Sequence, residues 1–210
     1  MAKKILIADD HSAIRVGVIQ ICKGEFPSAQ FGEAINYAEV FQKLKEDEWD
    51  ILILDIDLPG RNGLDILKQI KAEKIRVPVL MFSFHIEDQI AIRALKTGAS
   101  GYLSKEVADT ELISAIGKIM EGKKYVSRSL SEKLLGMLDD NSTKEPHELL
   151  SDREYQTLLL IASGKTVSEI ADALYLSKPT ISTYRARILK KMRLKNNAEL
   201  TTYAISQKLV

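Results

Sequence analysis

The chain has 210 residues, 45% of them hydrophobic and 28% charged, with a formal net charge of +1. That is the make-up of a globular protein with one large or two smaller domains, and it excludes a fibrous or low-complexity chain. No apolar run approaches the ~18 residues a membrane helix needs, and the single cysteine, Cys22, excludes an internal disulfide.

The charges divide unevenly. Residues 1–125 carry 17 Lys/Arg against 19 Asp/Glu, residues 126–150 carry 3 against 5, and residues 151–210 carry 10 against 5. An acidic front and a basic tail predict two separate jobs. The opening "MAKKILIADD" runs into Asp9 and Asp10 too early for a secretory signal. With one cysteine, this predicts a reducing, cytoplasmic location and no membrane partner.

Five short strand-like runs follow one another: "KILIA" (4–8), "AQFGEA" (29–34), "ILILD" (51–55), "PVLMFS" (78–83) and "GYLS" (101–104). Helical spacing fills the gaps: Ile14, Val18 and Ile21; Leu64, Leu67 and Ile70; Ile90, Ala94 and Leu95; then a periodic run over 109–121. Such alternation predicts an α/β domain, a doubly wound five-stranded parallel sheet with helices on both faces. The first, third and fourth runs are almost wholly apolar, as strands covered on both sides are. "SRSLSEKLLGML" (127–138) has the spacing of one more amphipathic helix, and the polar "DDNSTKEPHE" (139–148) reads as linker. We expect domains at 1–122 and 148–210, joined by 123–147.

In an open parallel sheet, ligands bind outside the carboxyl ends of the strands. Those ends carry Asp9 and Asp10, Asp55, Ser83 and Lys105. Three converging carboxylates raise one another's pKa unless a cation joins them. An oxygen-only set completed by water suits Mg²⁺, which also neutralises charge on a phosphoryl group in transfer. Asp55 then reads as a nucleophile, Ser83 as a hydroxyl donor to phosphoryl oxygen, and Lys105 as a counter-charge. Any one of these residues alone reads as an ordinary surface group; their order at successive strand ends carries the signal. His11, His85 and His147 are scattered, and His11 reads as a solvated helix start.

The tail is purely helical and makes a small all-α domain. Ser151 with Glu154, and Thr166 with Glu169, are capping-box pairs, and a third helix starts at Ser177 with Pro179 in its first turn. Two short helices across a tight turn read as a helix-turn-helix, whose second helix enters the DNA major groove. Residues 178–195 hold seven basic side chains and no acid. Helical geometry puts Ile181, Ile188 and Met192 in the core and Ser182, Thr183, Ala186, Arg187 and Lys190 opposite them. Small residues there admit the base edges while the cations hold phosphate. Lys178, Thr180 and Tyr184 complete the candidate DNA-contact set, with Arg185 on the flank.

On these motifs residues 1–122 resemble the receiver domain of a two-component response regulator, and 148–210 resemble a LuxR-type helix-turn-helix. Together the chain resembles the NarL/FixJ family of transcription regulators. The resemblance implies an acidic pair at Asp9 and Asp10, a phosphoacceptor at Asp55, a switch hydroxyl at Ser83, a lysine at Lys105 and a switch aromatic at Tyr102. It also implies a Mg²⁺ ligand in the backbone carbonyl of Asp57, a sensor histidine kinase as phosphoryl donor, and double-stranded promoter DNA bound by a homodimer once the regulator is active. "NAELTTYAISQ" (197–207) resembles the family's last helix, which can pair two DNA-bound protomers; the alternative is simple packing on the three-helix core. Four positions depart or vary: Glu106 follows Lys105 where many receivers have Pro, Tyr184 stands where many members have His, and Asp57 and His85 occupy places that tune phosphate lifetime. A rival reading takes "DID" (55–57) as the nucleophile motif of a haloacid-dehalogenase-type phosphatase, with Asp57 as general acid; in that family the motif comes first, whereas here an acidic pair precedes it.

Overall fold

The computed structural model describes residues 2–59, 61–84, 87–127, 130–132, 145–207 and 209–210. The chain divides into two compact units, Met1–Asp140 and Asn141–Val210. Of the helix expected over 127–138, only 127 and 130–132 are described, the last three helical; the rest of it, His85 and most of the polar linker lie outside the described residues.

In the first unit the strands are β1 (Lys4–Ala8), β2 (Gln30–Ala34), β3 (Ile51–Leu54), β4 (Val79–Ser83) and β5 (Gly101–Ser104). The helices are α1 (Ser12–Glu25), α2 (Tyr37–Glu46), α3 (Gly63–Ala72), α4 (Glu87–Thr97) and α5 (Ala108–Met120). All strand pairs are parallel, in the order β2-β1-β3-β4-β5. The step from β1 to β2 runs one way along the sheet and every later step the other. Right-handed crossovers then force α1 onto one face and α2, α3 and α4 onto the other.

Period-two alternation serves both faces. Ile5, Ile7, Ile51, Ile53, Leu80, Phe82 and Leu103 form one core with Val18 and Cys22 of α1 and Leu112, Ala115, Ile116 and Ile119 of α5. Leu6, Leu52, Leu54, Met81 and Tyr102, one residue out of phase, are equally buried and point to the opposite face. Burial also pushes the Cys22 thiol up to about 12, so it behaves as an apolar core residue. Tyr125, inside the segment read as linker, is buried in the first core, bridges Gly101, and donates its backbone N–H to Ser100 O at 2.9 Å.

The second unit begins with a one-turn 3-10 helix, Pro146–Leu149, followed by α6 (Asp152–Ala162), α7 (Val167–Ala173), α8 (Lys178–Met192) and α9 (Asn197–Ser206). Both capping boxes form, Ser151 with Glu154 and Thr166 with Glu169. Gly164 takes a left-handed φ of 81° after α6, where glycine relieves the strain. His147 is buried at the unit's entrance and bonds through Nδ1 to Tyr203 Oη of α9 at 2.9 Å.

Two glycines give opposite expectations. A Cβ on Gly63 would come within 2.9 Å of Ile56 Cα and collide with the Asp55 carbonyl, both backbone. Gly63→Ala should lower stability by about 3 kcal/mol, the upper end for overpacking. Gly17, in mid-helix with nothing within 4 Å, should gain up to about 1 kcal/mol as Ala. Thermal melting of the two variants checks both signs.

Candidate functional site

The topological reversal leaves a crevice between the carboxyl ends of β1 and β3, where an open α/β sheet places its ligands. Ladder bonds carry past the strands: Asp55 N donates to Ala8 O at 2.8 Å and Asp9 N to Ala34 O at 3.1 Å. Asp9 and Asp55 are thereby pinned on adjacent strand ends, 1% and 3% exposed. Lys105, just beyond β5, reaches across β4 to join them. Its Nζ lies 2.6 Å from Asp9 Oδ2 and 2.9 Å from Asp55 Oδ2. Ser83, the last residue of β4, is fully buried.

A bridging ammonium is what makes two buried carboxylates tolerable side by side. Burial pushes the Asp55 carboxyl up to about 6, against the pull of Lys105 and with the push of Asp9 and Asp57. Burial works against the charge of Lys105 too, but Asp55 and Asp9 outweigh it and hold its pKa above the ordinary value. Asp57 is half-buried. Donor atoms of Asp9, Asp10, His11 and Asp55 lie within 4.8 Å of one another. This donor set, mainly carboxylate, fits a hard divalent cation.

Asp9, Asp10, Asp55 and Lys105, far apart in sequence, thus share one pocket. Tyr102 lies wholly buried in β5 on the α2–α4 side. Among the described residues every peptide bond is trans, that of Lys105 and Glu106 included. Two features escaped the sequence reading. Phe84, 60% exposed, places its ring centroid 5.2 Å from Lys105 Nζ, with Phe82 at 5.8 Å on the buried side. His11, a helix start and 67% exposed as expected, also brings its imidazole within reach of both acids. No periodicity marks either residue.

In α8, Ile181, Ile188 and Met192 are buried, while Lys178, Ser182, Thr183, Ala186, Arg187 and Lys190 are exposed, and Thr180 and Tyr184 are half-buried. Ser177 caps the helix by accepting from Thr180 N at 3.3 Å. α7 ends at Ala173, and Tyr175 turns the chain with a φ of 53°. The basic residues divide by partner. Lys191 Nζ is 2.6 Å from the buried Glu154 Oε2, and Arg185 Nε donates to Asn197 Oδ1 of α9 at 2.6 Å. Burial opposes the charge of Glu154, yet Lys191 and the Ser151 cap together lower its pKa.

The raised Asp55 pKa sets a sign. With about 6 in the folded chain against an ordinary 3.8, the protonated form favours folding. That contribution is whole below the ordinary value and is lost as pH rises through the folded one. Asp55→Asn keeps the shape and never ionises. In chelator at about pH 7.5 it should be more stable than the parent by up to about 3 kcal/mol. The gap should close at about pH 4, and equal stabilities at both pH values would refute the burial account.

The comparisons agree with this geometry. The family model described as a response regulator receiver domain matches residues 5–117, and that of bacterial regulatory proteins of the luxR family matches 148–204. The response regulator UvrY of Escherichia coli K12 is 31% identical over 202 residues, covering 96% of this chain and 93% of UvrY. A structure of the Salmonella typhimurium RcsB response regulator aligns with a TM-score of 0.59 at 26% identity, over 98% of this chain and 100% of RcsB. A structure of two RcsB dimers bound to two parallel DNAs aligns with a TM-score of 0.61 at 25% identity, over 98% and 99%. Phosphatase chemistry at "DID" gives way to this assignment. The chain belongs to the NarL/FixJ family of two-component response regulators, a receiver domain followed by a LuxR-type DNA-binding domain.

Proposed function

We propose that this regulator is switched by phosphorylation: Asp55 takes a phosphoryl group from a sensor histidine kinase, and α8 then reads promoter DNA as part of a homodimer. The observation that carries the reading is the Lys105 bridge between Asp9 and Asp55. A buried carboxylate held by one movable cation is poised both to attack phosphorus and to report the result. One Asp55 oxygen forms the new P–O bond while the P–N bond of a phosphohistidine breaks, its electron pair leaving on the imidazole. Asp9, Asp10, Asp55 and the backbone carbonyl of Asp57 would hold Mg²⁺, which when bound offsets charge on the transferring group.

After transfer, Ser83 Oγ and Lys105 Nζ bond the new phosphoryl oxygens. Tyr102 already occupies a buried position, so phosphorylation raises the population of that arrangement. Moving the balance from 1:99 to 99:1 takes about 5.5 kcal/mol of differential interaction, more than one contact supplies. On the DNA side, Lys178, Thr180, Ser182, Thr183, Tyr184, Ala186, Arg187 and Lys190 make the contact surface. α9 pairs the protomers in this reading, and RcsB dimers bound to DNA support a dimer as the DNA-binding form.

Incubation with a small phosphodonor and Mg²⁺ should add one acid-stable, base-labile phosphate, and Asp55→Asn should abolish it. Label that persists in the variant moves the nucleophile elsewhere. Promoter affinity should fall with log salt by about 0.9 per phosphate neutralised. Lys190→Ala should flatten that slope by about 0.9; an unchanged slope removes Lys190 from the interface.

A further inference from the structure

His11 is the residue before α1, where a polar side chain ordinarily caps the helix. Its side chain makes no cap bond. Nδ1 lies instead 2.9 Å from Asp10 Oδ1 and 3.3 Å from Asp9 Oδ1. The backbone N–H of His11 donates to Asp9 Oδ1 at 2.8 Å, which ties the residue to the acid beside it. One donor atom from each of Asp9, Asp10, His11 and Asp55 falls inside a 4.8 Å span. Three oxygens and one imidazole nitrogen are a different donor set from the oxygen-only one expected of the acids.

We infer that His11 gives the divalent-cation site a nitrogen donor and biases it from Mg²⁺ toward late first-row ions such as Co²⁺, Ni²⁺ and Zn²⁺. The inference rests on the acidic cluster being a cation site and adds the residue that sets its preference. Mg²⁺ is a hard ion that keeps its water and gains little from imidazole, whereas affinity for nitrogen donors climbs along the series from Mn²⁺ to Ni²⁺. Ligation uses the Nδ1 lone pair; the ring proton then sits on Nε2, and the close approach of Nδ1 to Asp10 Oδ1 is exchanged for a bond to the metal. Because the ring is 67% exposed, its removal leaves the core intact.

The test uses the full chain with each metal alone. Calorimetry should show Co²⁺ binding at least about tenfold more tightly than Mg²⁺, and His11→Ala should lose about tenfold for Co²⁺. Mg²⁺ affinity should stay within about twofold, since that ion draws little from a nitrogen donor. Pulsed EPR of the Mn²⁺-loaded protein should show a ¹⁴N coupling that His11→Ala removes. A loss equal for both metals makes His11 a tether for the acids and overturns the donor role, as does a wild-type spectrum without ¹⁴N coupling. If the parent chain binds neither metal, the cation site itself fails. If Asp55→Asn abolishes Mg²⁺ binding while His11→Ala changes neither metal, only the His11 inference fails.

Discussion

One buried ammonium between two buried carboxylates is the constraint on which the receiver unit turns. Without Lys105, Asp9 and Asp55 would be like charges in a site nearly closed to water, and ionising both would be strongly opposed. With it, the trio is tolerated, but such a bridge seldom adds net stability over apolar residues of the same shape. The sheet could have closed its top with leucines, as it does everywhere below. What the trio would supply, under the proposed function, is a reactive carboxylate in a fixed place beside a cation able to change partners.

Topology does the fixing. Parallel pairing in register brings Ala8 opposite Leu54, and the next residues along, Asp9 and Asp55, fall on neighbouring ends. The loop after Asp55 must then turn back over the sheet into α3. It does so at Asn62 and Gly63: the Asn62 side chain accepts from Leu64 N at 2.6 Å, and Gly63 admits the Asp55 backbone at a distance no side chain allows. The site and the fold are therefore the same object seen at two scales.

Much of this was legible from the residues. The strands fall within one residue of the runs that mark them, because strands buried on both faces leave little but apolar residues in the sequence; β2, at the edge and partly exposed, is the exception. The convergence of Asp9, Asp10, Asp55 and Lys105 was legible because parallel strands force their ends to one rim. The core stripe of α8 was legible for the same kind of reason, a fixed period acting on Ile181, Ile188 and Met192. What was not legible depends on side chains meeting across elements with no period to announce them. His147 and Tyr203 are 56 residues apart. Tyr125 looked like the start of a linker and is a core residue. Nothing in the sequence named a partner for the basic residues of α8 outside the expected contact face; the structure pairs Lys191 with Glu154 and Arg185 with Asn197. Adjacent in sequence, Lys190 and Lys191 have different work, because 100° of helical rotation separates them.

The same contacts bear on how a phosphoryl group would act as a signal. Lys105 is already satisfied by Asp9 and Asp55, and aromatic faces at Phe82 and Phe84 sit 5.8 Å and 5.2 Å from it. Phosphorylation replaces one anionic partner of Lys105 by another with greater charge, so the lysine alone gains only the difference between the two. The remainder has to come from groups that bond phosphate more strongly than the bare carboxylate. Under the proposed function Ser83 would be one, buried at the end of β4 and in register with Ser104 beside Lys105. Recruited to phosphate, a hydroxyl on the fourth strand would draw the end of β4 toward the site. Lys105 would thus trade its carboxylate partner for phosphate, and the hydroxyl would carry the change outward.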